Sequence, residues 1–313
     1  MLQKEEQYLP GTFALSDVAM SWINLIGVAS TLGVTCPGCE HAPQLLHESG
    51  LISHLQQLNI KAQWHAMLEA DTQPNTSIDQ ALNDLIQKLA RIVQVQVEKH
   101  NLFVVLGGDH SCAMGTWQGV YNAIHNRGSF GLIWIDAHMD SHTPSTSPSG
   151  AYHGMPLAWL LGAMPGAGAL PGGKQFLDPA HLSLVGVRAF EAEEAQLLEQ
   201  LGVRVFSLDE VRSRGMVSVM NEALSRAAQA TCGYGVSLDL DAIDPLDAPG
   251  VSIQESDGLR SAELLKGLSV LKKADGLLGI EIVEYNPSHD IHRKTSELIF
   301  LLLTHMLPRR DEP

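Results

Sequence analysis

The chain has 313 residues, 45% of them hydrophobic, which is enough apolar material for a sizeable core. Its formal charge of −15 argues against a nucleic-acid surface, because binding by counterion release needs clustered Lys and Arg. The opening "MLQKEEQYLPGTFALSDVAM" lacks the basic start and apolar stretch of a signal peptide, and the longest strongly apolar run, "LIFLLL" at 298–303, is far too short to span a bilayer, so a soluble, cytoplasmic protein is the expectation.

In chain order, strand-like runs fall at 22–29, 102–108, 130–136, 182–188, 203–208, 234–241 and 276–284. They are continuously apolar, as strands covered on both faces read, and they predict a mainly parallel sheet. After the first run comes "TCPGCEHAP", with Cys36 and Cys39 in a CxxC. No second CxxC completes a four-thiolate site and Cys112 and Cys232 are isolated, so the pair reads as a Pro/Gly turn carrying two thiols. The segment 78–100 predicts a helix, because Ile78, Leu82, Leu85, Ile86, Leu89, Val93 and Val97 recur at steps of three and four and form one sheet-facing stripe. The Gly/Pro-rich stretch 162–179 reads as a long loop between helix and strand. The alternation implies a three-layer α/β/α fold in one domain spanning 1–313, with chemistry expected at the carboxyl edge of the sheet.

Three polar clusters follow three of these runs: Asp109 and His110 in "GGDHS", Asp136, His138 and Asp140 in "DAHMD", and Asp239 and Asp241 in "DLD". Side chains two apart on a strand share a face, so Asp136, His138 and Asp140 converge if the extended conformation persists, and Asp239 and Asp241 follow the same rule. With His110 the set holds two imidazoles and four carboxylates. Four carboxylates in one cleft repel one another and raise their own pKa values. Two divalent cations cancel that charge, and a water shared between them becomes a nucleophile near neutral pH. Oxygen-rich ligation with imidazole and no thiolate suits manganese, with cobalt, nickel, iron and zinc as the other candidates.

With those residues in hand, the chain resembles the ureohydrolase superfamily of arginase, agmatinase and formimidoylglutamase. The motifs that carry the resemblance are "GGDHS" (107–111), "DAHMD" (136–140) and "SLDLDAIDP" (237–245), in that order. The resemblance implies one manganese on His110, Asp136, Asp140 and Asp239, and a second on Asp136, His138, Asp239 and Asp241. It also implies trimers or hexamers. The segment "SPSGAYHGMPLA" (147–158) is similar to the arginase branch. By that likeness His153 is the proton shuttle and Glu284, in "VEYNPS", holds the substrate guanidinium, with Asp140 counted among the catalytic candidates as well as the ligands. Chemistry supports the first two roles: an imidazole delivers a proton near pH 7, and a planar guanidinium pairs well with a carboxylate.

The substrate-binding positions depart from the arginase pattern. His142 and Ala151 stand where arginases typically carry Asn against the α-carboxylate, while Ser149 is retained. Ala151 offers no side-chain donor; His142 either donates in its place or reshapes the pocket. Glu191 and Glu194 in "GVRAFEAEE" map to the acids for the α-amino group, with Asp commonly expected at the first. His41, His47, His65, His289 and His292 have no ligand spacing with the cluster and read as surface or loop residues. The leading expectation is hydrolysis of L-arginine to ornithine and urea. The alternatives are a ureohydrolase for agmatine, a guanidino acid or formimidoylglutamate, and a non-catalytic metal-stabilised relative.

Overall fold

The computed structural model describes residues 22–71, 73, 75–166 and 170–308; the stretch read above for a signal peptide lies outside the described residues. Its strands are β1 (Ile23–Ala29), β2 (Ala62–Glu69), β3 (Phe103–Leu106), β4 (Gly131–Ile135), β5 (Leu182–Val187), β6 (Arg204–Ser207), β7 (Tyr234–Asp239) and β8 (Leu277–Val283). They form one sheet in the order β2-β1-β3-β8-β7-β4-β5-β6, parallel throughout. No helix among the described residues is long and apolar enough to cross a membrane.

Period-two alternation along the strands builds the three layers. In β4, Leu132 and Trp134 point to one face and Ile133 and Ile135 to the other, all four buried. The first face packs against the helices Ile78–Glu98 and Ala113–Ile124, and the second against Met216–Ala227, Ser261–Leu268 and Lys294–Met306. Gly115 and Gly119 let the helix Ala113–Ile124 lie close on its neighbour, since a Cβ at either would press into the backbone of Ile86 or Ala90. Ser77 caps the helix that was expected at 78–100, its Oγ accepting from the Gln80 N–H at 3.2 Å, and the helix ends at Glu98. The expected stripe is buried from Leu82 to Val97, but Ile78, in the first turn, is exposed.

The seven expected strands all form, each within two residues of its expected ends. The eighth, β2, was not expected. It is the edge strand, its Gln63, His65 and Glu69 are exposed, and it therefore lacks the apolar run that identified the buried strands. The loop expected at 162–179 does join a helix, Pro156–Leu160, to β5.

The order in which strands are added across the sheet reverses between β4 and β7. From β4 the chain proceeds outward to β5 and β6; from β7 it proceeds the other way to β8. Such a switch point leaves a crevice outside the carboxyl ends of the two strands. The four adjacent strands β3, β8, β7 and β4 deliver His110, Glu284, Asp239 and Asp136 to this crevice.

Candidate active site

Each of the three motifs leaves its strand through the same local device. An aspartate carboxylate accepts the backbone N–H two residues on: Asp109 from Ser111 at 2.9 Å, Asp136 from His138 at 2.7 Å and Asp239 from Asp241 at 2.9 Å. The turn spends one oxygen of Asp136 and of Asp239, and their other oxygens, both Oδ2, face His110. Glycine is required just before the first turn, since a Cβ at Gly108 would collide with the Ser30 carbonyl.

His110 is fully buried, stacked on Trp134 with ring centroids 4.2 Å apart. Its Nδ1 lies 3.0 Å from Asp140 Oδ2, 3.1 Å from Asp239 Oδ2 and 3.4 Å from Asp136 Oδ2, yet makes a well-directed hydrogen bond to none of them. Past the end of β4, His138 Nδ1 lies 3.0 Å from Asp241 Oδ2 and 3.6 Å from Asp136 Oδ1. Two groups of donors with the spacing of metal sites result: His110, Asp136, Asp140 and Asp239, and Asp136, His138 and Asp241. Asp136 belongs to both. Asp239, expected in both, falls in the first alone.

The route to this geometry differs from the expected one. β4 ends at Ile135 and residues 136–140 are turn, with Asp140 at φ 46°, so an extended backbone does not carry the three side chains to one face. The turn instead sends Asp136 and Asp140 toward His110 and His138 toward Asp241. Glu284, just past β8, also has a left-handed backbone, φ 65°. Such conformations cost of order 1–3 kcal/mol each in a non-glycine residue and persist where surrounding structure holds them.

The electrostatics fit a pair of cations. Burial and the neighbouring Asp136 push Asp140 up to about 7, and burial with like charges raises Asp239 and Asp241. Asp136 goes the other way: burial raises it, but His110 and His138 outweigh that and hold it far below the carboxylate range. Four acids so close resist ionising together, and divalent charge removes the conflict. The directed but unbonded Nδ1 of His110 and the all N/O donor set meet the same requirement.

Behind the two imidazoles stand groups that the sequence reading passed over. Ser237 Oγ donates to Glu281 Oε2 at 2.7 Å and sits 3.0 Å from His110 Nε2, so that Nε2 is the nitrogen that donates and Nδ1 is left facing the carboxylates. Glu281 is wholly buried, also accepting from Thr116 Oγ1 at 2.6 Å and Trp117 Nε1 at 3.1 Å. For His138 the outer partner is Glu255, 3.5 Å from Nε2. Arg188 ties that loop down, donating to the carbonyls of Asp241, Ala242, Glu255 and Ser256. A lone acid within "LLGIEIV" was the signal for Glu281; none in the sequence marks Glu255.

His153 and Glu284 meet, Nδ1 to Oε1 at 3.4 Å. Burial pulls His153 down, but Glu284 outweighs it and the imidazole is raised to about 9. The same Oε1 accepts the His110 N–H at 2.9 Å, and Oε2 meets the Cys39 thiol at 3.6 Å. Cys39 is thus more than part of a turn: it opens the short helix Cys39–His41, buried against Glu284 and Ser252, and burial raises its thiol pKa. Cys36 and Cys39 are both free, and neither belongs to a metal-spaced group among the described residues.

A cavity of about 360 Å³ opens above, lined by His138, Asp140 and His153 at one end and by His142, Glu191 and Glu194 at the other, with Ser149 and Ala151 in its wall. Glu284 lies behind His153 and does not line it. A larger cleft of about 520 Å³, at the carboxyl ends of β1 and β2, holds Glu40, His41 and Glu69 without bringing them into such a group. His41, His47, His65, His289 and His292 are exposed, as expected.

The match of residues 22–307 to the model of the Arginase family decides the kinship. The chain belongs to the arginase family. It is 34% identical to an arginase of Bacillus caldovelox over 91% of this chain and 97% of that protein, and 32% identical to an arginase of Bacillus subtilis over 92% and 98%. The crystal structure of an arginase from Bacillus cereus superposes with a TM-score of 0.84 at 30% identity, covering 93% of this chain and all of that one. As a member of the arginase family the chain is a metal-dependent ureohydrolase, and its buried His/Asp groups are consistent with the family's binuclear site.

Proposed function

We propose that the protein hydrolyses the guanidinium group of L-arginine to L-ornithine and urea, with two manganese ions per chain. The observation that carries this reading is the meeting of six side chains from three strand ends in two donor groups that share Asp136, beside a cavity that His153 also lines. His110, Asp136, Asp140 and Asp239 would hold one cation, and Asp136, His138 and Asp241 the other. When bound, the pair supplies positive charge that acidifies water and polarises the substrate. Cobalt, nickel, iron and zinc suit the same donors less well or equally, and metal loading followed by assay ranks them.

His153, its proton held against Glu284, is placed to deliver that proton to the departing amine. The water oxygen adds to the guanidinium carbon and the bond from that carbon to the side-chain nitrogen then breaks; the nitrogen leaves as an ammonium with one proton from His153 and one from the water, and the water's other proton returns to His153 as urea forms. Glu284, the acid the resemblance assigns to the guanidinium, stands behind His153 and outside the cavity lining, so what its position supports is the hold on His153. At the far end Glu191 and Glu194 would receive the substrate's amino group, with Ser149, Ala151 and His142 around its carboxylate. A homo-oligomeric assembly and a cytoplasmic location complete this reading, checked by light scattering and cell fractionation. The direct test is urea release from arginine by manganese-loaded protein: turnover abolished by chelation and restored by manganese supports the reading, and no urea from any guanidino compound overturns it.

A second reading, a different guanidino or formimidoyl substrate, is favoured by Ala151, whose side chain can donate nothing to a carboxylate. Urea from agmatine or a guanidino acid with none from arginine would select it.

A further inference from the structure

The end of the cavity away from His138 and Asp140 is rich in acceptors and poor in donors. Glu191 and Glu194 face it from the start of the helix Ala192–Leu201, and they support each other: the carboxylate of each accepts the other's backbone N–H. Glu194 is buried and also accepts the Ser141 N–H at 3.0 Å, while Glu191 is half exposed with lone pairs to spare. His142 lies against both, Nε2 at 2.9 Å from Glu191 Oε2 and 3.3 Å from Glu194 Oε2. Its other nitrogen, Nδ1, is 3.1 Å from Thr146 Oγ1, so both ring nitrogens are engaged.

The remaining donors are few. The Ala151 N–H donates to Ser149 Oγ at 3.2 Å, and the Gly150 N–H to Ser147 Oγ at 3.0 Å. No Lys or Arg lines the cavity among the described residues. What is left for a carboxylate is the hydroxyl hydrogens of two serines, against two carboxylates that would repel it. A buried carboxylate needs charged or multiple donors to offset its lost hydration. An ammonium group needs acceptors, which this wall supplies.

We propose that this end of the cavity, where Glu191 and Glu194 would take the amino group as in the reading above, is indifferent to the substrate's carboxylate, so that the substrate class is guanidinoalkyl amines whose carboxylate is present, blocked or absent. The inference rests on the reading that guanidinium hydrolysis occurs at the opposite end. His142, taken up by Glu191, Glu194 and Thr146, then holds the two acids at their spacing and offers nothing to a carboxylate.

The test measures kcat/KM for urea release by manganese-loaded full-length protein on L-arginine, L-argininamide, agmatine and 5-guanidinopentanoate, which keeps the carboxylate and lacks the amine. Argininamide and agmatine are expected within about tenfold of arginine, and guanidinopentanoate lower by ~30-fold or more, the worth of one hydrogen bond to a charged group. Glu191→Gln is expected to narrow the gap between arginine and guanidinopentanoate, mainly through KM. Arginine preferred over both argininamide and agmatine by more than about tenfold overturns the inference, as does a gap that Glu191→Gln leaves unchanged. No urea from any of the four overturns the underlying hydrolase reading instead, which separates the two failures.

Discussion

The two ends of the cavity are built differently. At the inner end, the donors hang from strand ends of one parallel sheet, buried, turned by Asp side chains and braced from behind by Ser237, Glu281 and Glu255. At the outer end, His142, Ser149 and Ala151 stand on the irregular segment between β4 and the helix Pro156–Leu160, and Glu191 at an exposed helix start. A rigid sheet edge fixes geometry that chemistry cannot do without, and a loop carries the residues that can change while the reaction stays the same. Substitutions should therefore be severe and indifferent to substrate at the inner end, and mild and substrate-dependent at the outer end.

The largest effect is expected at Asp136, the side chain common to both donor groups. Asp136→Asn should lower kcat/KM for every guanidino substrate by ~10³-fold or more, about 4 kcal/mol in barrier, with manganese binding weakened in calorimetry. A variant that stays within tenfold of the parent would break the contrast at its strongest point.

Next comes Glu281, which touches no substrate. Glu281→Gln should weaken manganese binding by about 10–100-fold by loosening the Ser237 hydroxyl that holds His110 Nε2, while circular dichroism shows an intact fold. An unchanged manganese affinity in a folded variant would reduce Glu281 to a packing residue.

A smaller, purely electrostatic change is expected between His153 and Glu284. In the metal-free protein the His153 ring should titrate near 9, followed by NMR, and Glu284→Gln should bring it back toward the ordinary imidazole range. The sign is that of a raised histidine: the stabilisation from this proton is complete below the ordinary imidazole pKa and is lost as pH rises through about 9. Identical titration curves for parent and variant would mean that the 3.4 Å contact does not set the charge.

The mildest effect belongs to Ala151. Ala151→Asn adds a donor at the outer end and should shift the preference for arginine over argininamide by about tenfold, with thermal stability nearly unchanged. A shift of the same size for both substrates would place the new side chain elsewhere than against the carboxylate.

The inner end was far more legible in the sequence than the outer one, for a physical reason. Asp136, His138, Asp140, Asp239 and Asp241 are chemically loaded residues packed into two short stretches that follow apolar runs, so the sequence shows them as a group. What it could not show was how they turn. The even spacing pointed to a shared strand face, whereas the turn at 136–140, with Asp140 at positive φ, divides them between two donor groups. Glu281 stayed hidden because six buried neighbours in β8 make it read as part of an apolar strand, and only the packing of Thr116, Trp117 and Ser237 reveals its role. The strand β2 stayed hidden for the opposite reason: an edge strand with Gln63, His65 and Glu69 outward has no apolar run to notice. At the outer end His142 was singled out as a departure from the arginase pattern, yet its pairing with Glu191 and Glu194 depends on a contact across roughly fifty residues that no local pattern encodes.

The contrast between the two ends depends first on Asp136 serving two cations at once. Anomalous diffraction at the manganese edge from crystals of the loaded protein tests this directly. Two peaks per chain are predicted, one beside His110 and one beside His138, with an oxygen of Asp136 on each; a single peak, or two peaks with Asp136 on only one of them, would contradict it.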